Sequence, residues 1–202
     1  LAGLDAKGEE AFRDPSFQLT GWSTITVPGH WELQGFAEPR YADAVAEGLG
    51  LYRRTFQVPA GWRGQRVFLR FDGVLFGFQA WVNGRPVGEW ASGYNPVTFD
   101  ITDALRRDGA ENVLAVRVTT RSRGWDFDAM DCWSLSGIYR DVTLFARPAL
   151  HLADYTARST LTTGGGVTVD VSVVATGPGT VTGRLLDPEG RPAGAFEFAL
   201  DP

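Results

Sequence analysis

The sequence predicts an all-β protein, a sandwich or barrel of short strands, and three observations predict it. Apolar residues recur in short runs with a period of two, which puts them on one face of a strand. No stretch sustains the 3.6-residue period of an amphipathic helix. The 25 glycines and 11 prolines among 202 residues fall between the runs, where turns need a positive or a preset φ.

The elements follow in order. Tyr52, Arg54, Phe56 and Val58 alternate with Arg53, Thr55 and Gln57, and Pro59 ends that strand. Val67, Leu69 and Phe71 form one face of the next, which stops at Asp72-Gly73. Phe78, Ala80 and Val82 lead into Asn83-Gly84, with Val87 beyond. Asn-Gly between alternating runs signals a two-residue hairpin, since both residues tolerate positive φ. Thr102 is placed to cap one short helical turn, with Asp103 near its start and Arg106-Arg107 near its end, in accord with the helix dipole. Leu114, Val116 and Val118 make a strand after Asp108-Gly109, and Ile138, Val142 and Leu144 make the next.

Composition shifts near Arg147-Pro148, beyond which aromatics thin out to Tyr155, Phe196 and Phe198. Val167, Val169, Val171 and Val173 alternate strictly with polar residues, and Gly177-Pro178-Gly179 and Asp187-Pro188-Glu189-Gly190 are turns. The chain therefore divides into 1–148 and 149–202, the second part reading as the opening strands of an immunoglobulin-like sandwich. Such a domain needs about 100 residues, so it is expected to be incomplete. Leu1 and Asp201-Pro202 both read as cut ends of something longer. Thr163-Gly164-Gly165-Gly166 is a loop tip, since no Lys-Ser/Thr follows to make a phosphate loop.

Charged residues are 21% and hydrophobic ones 44%, with a net charge of −5. No basic stripe is present, so no nucleic-acid partner is expected. No apolar run reaches the length of a membrane span. Cys132 is the single cysteine and reads as a small buried hydrophobe. With only His30 and His151 beside it, neither a Cys/His catalytic pair nor a zinc site is expected. A cytoplasmic location is the expectation, left open by the apparently cut amino terminus.

The segment Trp125–Asp141 carries the chemistry. Asp126, Asp128 and Asp131 alternate with Trp125 and Trp133 in nine residues, and a Ser136-Gly137 turn follows. A carboxylate beside an aromatic plane suits a sugar: the ring covers its C–H face and the ionised oxygens accept its hydroxyl protons. The three acids share one loop with nothing apolar to raise one of their pKa values, so they are not read as a catalytic pair. Trp133 reads as a core anchor and Trp125 as the better sugar platform. Trp22, Trp31, Trp62, Trp81 and Trp90 read as core or sandwich-edge residues, and His30 as structural.

Asp131-x-Trp133-x-x-Ser136-Gly137-Ile138-Tyr139-Arg140-Asp141-Val142-x-Leu144 resembles the signature that ends the N-terminal domain of β-galactosidases of glycoside hydrolase family 2. Three more stretches agree in order: Val27-Pro28-Gly29-His30-Trp31 with Gly35, Pro39 and Tyr41; Phe71-Asp72-Gly73-Val74 with Trp81-Val82-Asn83-Gly84 and Val87-Gly88; and Phe99-Asp100-Ile101-Thr102 with Leu105, Glu111-Asn112, Leu114, Ala115 and Val116. They cover roughly residues 25–148.

The resemblance implies a jelly-roll sandwich, then an immunoglobulin-like domain, then a catalytic (β/α)₈ barrel absent from this chain. Retaining glycosidases use two carboxylates about 5–5.5 Å apart. The family keeps both in the barrel, so no catalytic residue is expected here and the chain alone should be inert. Asp131 matches a family aspartate that reaches into the barrel's site, accepts galactose hydroxyls and in some members lies beside sodium. Asp43 stands where well-known members carry a sugar-contacting asparagine, and the change removes two N–H donors. The implied partners are a β-galactoside and the parent's own barrel, in a parent that the resemblance allows to be homo-oligomeric. No cofactor is expected in this chain, with sodium or magnesium left to the parent. Alternatives are the equivalent domain of a β-glucuronidase or β-mannosidase, a free-standing carbohydrate-binding module, and a structural sandwich.

Overall fold

The computed structural model describes residues 10–41, 48–107, 109–128 and 131–200. The fold is all-β, and the chain divides into two compact units, Leu1–Ala146 and Arg147–Pro202.

The first unit is built on two sheets. One has four strands in the order β2 (Leu49–Phe56), β8 (Asn112–Thr119), β5 (Phe78–Val82), β6 (Arg85–Trp90). The other orders β11 (Val142–Arg147), β3 (Arg66–Phe71) and β7 (Val97–Asp100). Two-residue ladders join β1 (Arg40–Tyr41) to β9 (Trp133–Ser134), and β4 (Val74–Leu75) to β10 (Gly137–Ile138). Alternation sends Val67, Leu69 and Phe71 of β3 inward against Phe78, Ala80, Val82, Val116 and Val118 of the larger sheet, with Trp31, Ile101 and Ile138 closing the core. Each fully buried valine, leucine, isoleucine or phenylalanine among them stabilises the fold by roughly 1.5–3 kcal/mol.

Period two accounts for only half of β8. Val113 and Ala115 are buried as well as Val116 and Val118, because Phe12, Phe17 and Trp22 cover part of the sheet's outer face against Trp81 and Ala115. Arg53 holds that cover in place. Its guanidinium donates to the carbonyls of Phe12, Asp14 and Pro15 at 2.6–2.7 Å and lies 5.9 Å over the Phe17 ring.

The Asn83-Gly84 hairpin forms with φ of 52° and 81°, and its asparagine does a second job. Asn83 Nδ2 donates to Asn112 Oδ1 and to the Ala104 carbonyl, both at 2.8 Å, and Oδ1 accepts from the Val113 N–H at 3.0 Å. Asn112 is fully buried, and its own Nδ2 donates to the Arg106 and Ala110 carbonyls. A buried amide is stable only when so satisfied, so the Asn-Gly and Glu-Asn stretches belong to one network.

Two expectations change. The helical turn is a 3₁₀ turn, Thr102–Ala104, and Thr102 does not cap it. The Thr102 hydroxyl faces β3 and accepts from the Val67 N–H at 2.9 Å, while Asp100 Oδ1 accepts from the Thr102 N–H. The strand expected over Ile138–Leu144 is split: Gly137–Ile138 pairs with β4, and Val142–Arg147 neighbours β3. The chain it follows bends at Asp72-Gly73. At that bend only isolated bonds, from the Asp72 N–H to the Asp141 carbonyl and from the Arg140 N–H to the Gly73 carbonyl, join the two segments.

The second unit consists, among the described residues, of two antiparallel hairpins: β12 (Leu152–Leu161) with β13 (Val167–Ala175), and β14 (Gly179–Leu186) with β15 (Pro192–Leu200). Val169, Val171 and Val173 are half-buried while their polar neighbours are exposed. Phe196 and Phe198 stack at 6.0 Å. The turn at Asp187 closes as its sequence suggests, with Asp187 Oδ1 accepting from the Glu189 and Arg191 N–H groups and Gly190 at φ 80°.

Candidate functional site

The segment that carries the acids is fixed from its C-terminal side. The Trp31 N–H donates to the Ser136 carbonyl at 3.1 Å and the Gly29 N–H to the Ile138 carbonyl at 2.9 Å. In return the Ser136 N–H donates to Oε2 of buried Glu32 at 2.8 Å. Gly137 has φ 110°, and a β-carbon there would lie 2.8 Å from the Tyr52 hydroxyl. The entry segment around Trp31 and the Ser136–Ile138 turn are thus two halves of one support. Beneath it the Trp31 ring lies flat on Gly50, where a β-carbon would meet the ring at 1.8 Å. Burial pushes the Tyr52 phenol up to about 12. His30 stacks on Tyr139 at 5.3 Å, and its burial holds the imidazole below its usual value.

A second support is the loop Ser92–Asn95. The Gly93 N–H donates to Asp128 Oδ2 at 2.5 Å and its carbonyl accepts from the Tyr139 hydroxyl at 3.2 Å. The Tyr94 carbonyl accepts from Arg140, whose guanidinium lies 5.0 Å over the Tyr139 ring. The Tyr94 hydroxyl is 3.8 Å from the Cys132 sulfur. Burial, then that contact, push the Tyr94 phenol up to about 12. Asp128 is therefore a loop cap. Cys132 is half-buried.

Between these supports stands an exposed group. Asp131 has φ 48°, a left-handed conformation uncommon outside glycine. Its Oδ1 accepts from the Tyr41 hydroxyl at 2.6 Å. Tyr41 is paired with Trp133 across the β1–β9 ladder, and their rings meet edge to face at 5.6 Å. Both rings are 55% exposed. Trp133, expected as a core anchor, instead faces solvent, because the two-residue ladder sets it against Tyr41 rather than the core cluster.

The sequence candidates are not all brought together. Asp131 lies in this cluster. Trp125 starts the helical turn Trp125–Asp128 and packs its edge on buried Phe76 at 4.5 Å. Asp43 lies outside the described residues, two positions past Tyr41. Tyr41 was visible only as a motif letter, and its bond to Asp131 spans 90 positions, which no local pattern reveals. The same holds for Glu32 and the Ser92–Asn95 loop. Among the described residues no three His, Cys, Asp or Glu side chains gather to hold a metal ion, and Asp131 would supply one carboxylate.

A β-sandwich that presents a carboxylate beside exposed aromatic rings has the build of a carbohydrate-binding domain. Residues 9–148 match the family described as glycosyl hydrolases family 2, sugar binding domain, and the chain belongs to that family. It is 35% identical over 167 residues to a β-galactosidase of Priestia megaterium, covering 74% of this chain and 16% of that protein. It is 32% identical to the β-galactosidase large subunit of Leuconostoc lactis, covering 73% of this chain and 28% of that one. Among solved structures, a β-glucuronidase of Bacteroides uniformis superposes with a TM-score of 0.81 at 25% identity, over 99% of this chain and 24% of that one. A family 2 member from Bacteroides cellulosilyticus gives 0.71 at 28% identity, over 99% of this chain and 28% of that one. The chain thus spans from 16% to 28% of the length of these relatives.

Proposed function

We propose that this chain is the sugar-binding N-terminal region of a retaining β-galactosidase-type enzyme, and that it completes the substrate pocket of a catalytic barrel it does not contain. The observation that carries the reading is Asp131, exposed two residues from exposed Trp133 and bonded to Tyr41. Ionised, it accepts hydroxyl protons from the sugar. Trp133 offers the apolar face that Trp125, packed on Phe76, offers less well. Asp43 is a second candidate contact. The two carboxylates that break the glycosidic bond are supplied by the barrel, so the isolated chain has no hydrolytic activity.

The test is Asp131→Asn in the intact protein, assayed with nitrophenyl β-galactoside. We expect kcat/KM to fall about a hundredfold, as for a charged contact strengthened in the transition state; unchanged kinetics sink the reading. The likeness to β-glucuronidase structures supports a second reading with the same domain role and a different sugar. Parallel assay with the β-glucuronide separates the two.

A further inference from the structure

We infer that Tyr41 is a positioning residue for the Asp131 carboxylate, holding one of its oxygens so that the other faces the sugar; the inference rests on the sugar-binding reading above.

Asp131 is exposed and sits on a loop, where a short side chain is free to turn unless something holds it. Among the described residues Tyr41 is the one group that donates to it, at 2.6 Å, the short distance of a hydroxyl bonded to a charged acceptor. The donor is itself held. Its backbone is paired with Trp133, and its ring lies edge-on to that indole. Trp133 and Asp131 are two residues apart, so the ladder that aligns the rings also sets the carboxylate beside them. Tyr41 is not placed for packing, since more than half of its surface is exposed. Its hydroxyl is the part that does the work, and Oδ1 is the oxygen it occupies. Among the described residues nothing donates to Oδ2, so it remains as the acceptor for the sugar. The hydrogen bond to Asp131 in turn raises the Tyr41 phenol above its usual value, because the phenol loses its donated proton from that bond when it ionises.

A double-mutant cycle in the intact protein tests this, using nitrophenyl β-galactoside or β-glucuronide, whichever it turns over. Tyr41→Phe keeps the ring against Trp133 and removes only the hydroxyl. We expect it to lower kcat/KM about tenfold, with the melting temperature unchanged. Asp131→Asn should cost more, and adding Tyr41→Phe to Asp131→Asn should cost nothing further, because the group being positioned is already altered. A silent Tyr41→Phe, or losses that multiply in the double variant, overturns the inference and leaves the sugar-binding reading standing; multiplied losses would mean that Tyr41 touches the sugar itself. An unchanged Asp131→Asn defeats both. A readout independent of turnover is the ultraviolet titration of the phenols. Asp131→Asn should make one tyrosine ionise at lower pH, and an identical curve would show that the bond is absent in solution.

Discussion

Asp131–Trp133 and Ser136–Ile138 are near neighbours in one segment, yet they differ in almost every physical respect. The later stretch is buried, and its backbone groups are taken by Gly29, Trp31 and Glu32. In the earlier one Asp131 and Trp133 are exposed and meet Tyr41, and only half-buried Cys132 reaches back to Tyr94. Rigidity and availability are thus separated along the chain. A carboxylate that must meet a ligand stays in water, and the few residues after it are locked so that it stays in place.

That contrast predicts where substitutions hurt. The largest effect belongs to the buried side. Gly137→Ala forces a β-carbon toward the Tyr52 hydroxyl at a φ of 110°, and should destabilise the first unit by about 3 kcal/mol, read from urea unfolding. A loss below about 1 kcal/mol would mean that the support yields easily. The next effect is alkaline. The Tyr52 phenol is raised from 10.0 to about 12 by its burial, so the folded state holds that proton more tightly than the unfolded one. Its contribution is complete below pH 10 and is lost as pH climbs toward about 12, an amount on the order of 2–3 kcal/mol. Tyr52→Phe should flatten that part of the stability curve, and a curve of unchanged shape would show that another group governs it. The smallest effect belongs to the exposed side. Trp133→Ala loses an edge contact with Tyr41 and little burial, so it should cost about 1 kcal/mol or less. A cost of several kcal/mol would return Trp133 to the core and erase the contrast.

Legibility followed the same division. Val67, Leu69 and Phe71 face inward as their alternation requires, and Asn83-Gly84 turns because its residues accept positive φ. Ile138, Val142 and Leu144 also alternate, yet the strand breaks, since its partner bends at Asp72-Gly73 and pairing is a property of two chains. Thr102 had the right neighbours for a cap, but its hydroxyl found the Val67 N–H, 35 positions away. Trp133 read as a core anchor and is exposed because its strand pairs it with Tyr41 at the surface.

The amino-acid sequence alone determined the all-β class, the hairpin turns, the order of the family motifs and the choice of Asp131, because each is written in local periodicity, turn chemistry or motif spacing. Only the tertiary structure decided that Glu32 and Trp31 hold the Ser136 turn, that Ser92–Asn95 braces Asp128 and Cys132, and that Tyr41 bonds Asp131. Those contacts join residues from 35 to more than 100 positions apart. Nothing short of packing the two sheets brings such residues within hydrogen-bonding reach.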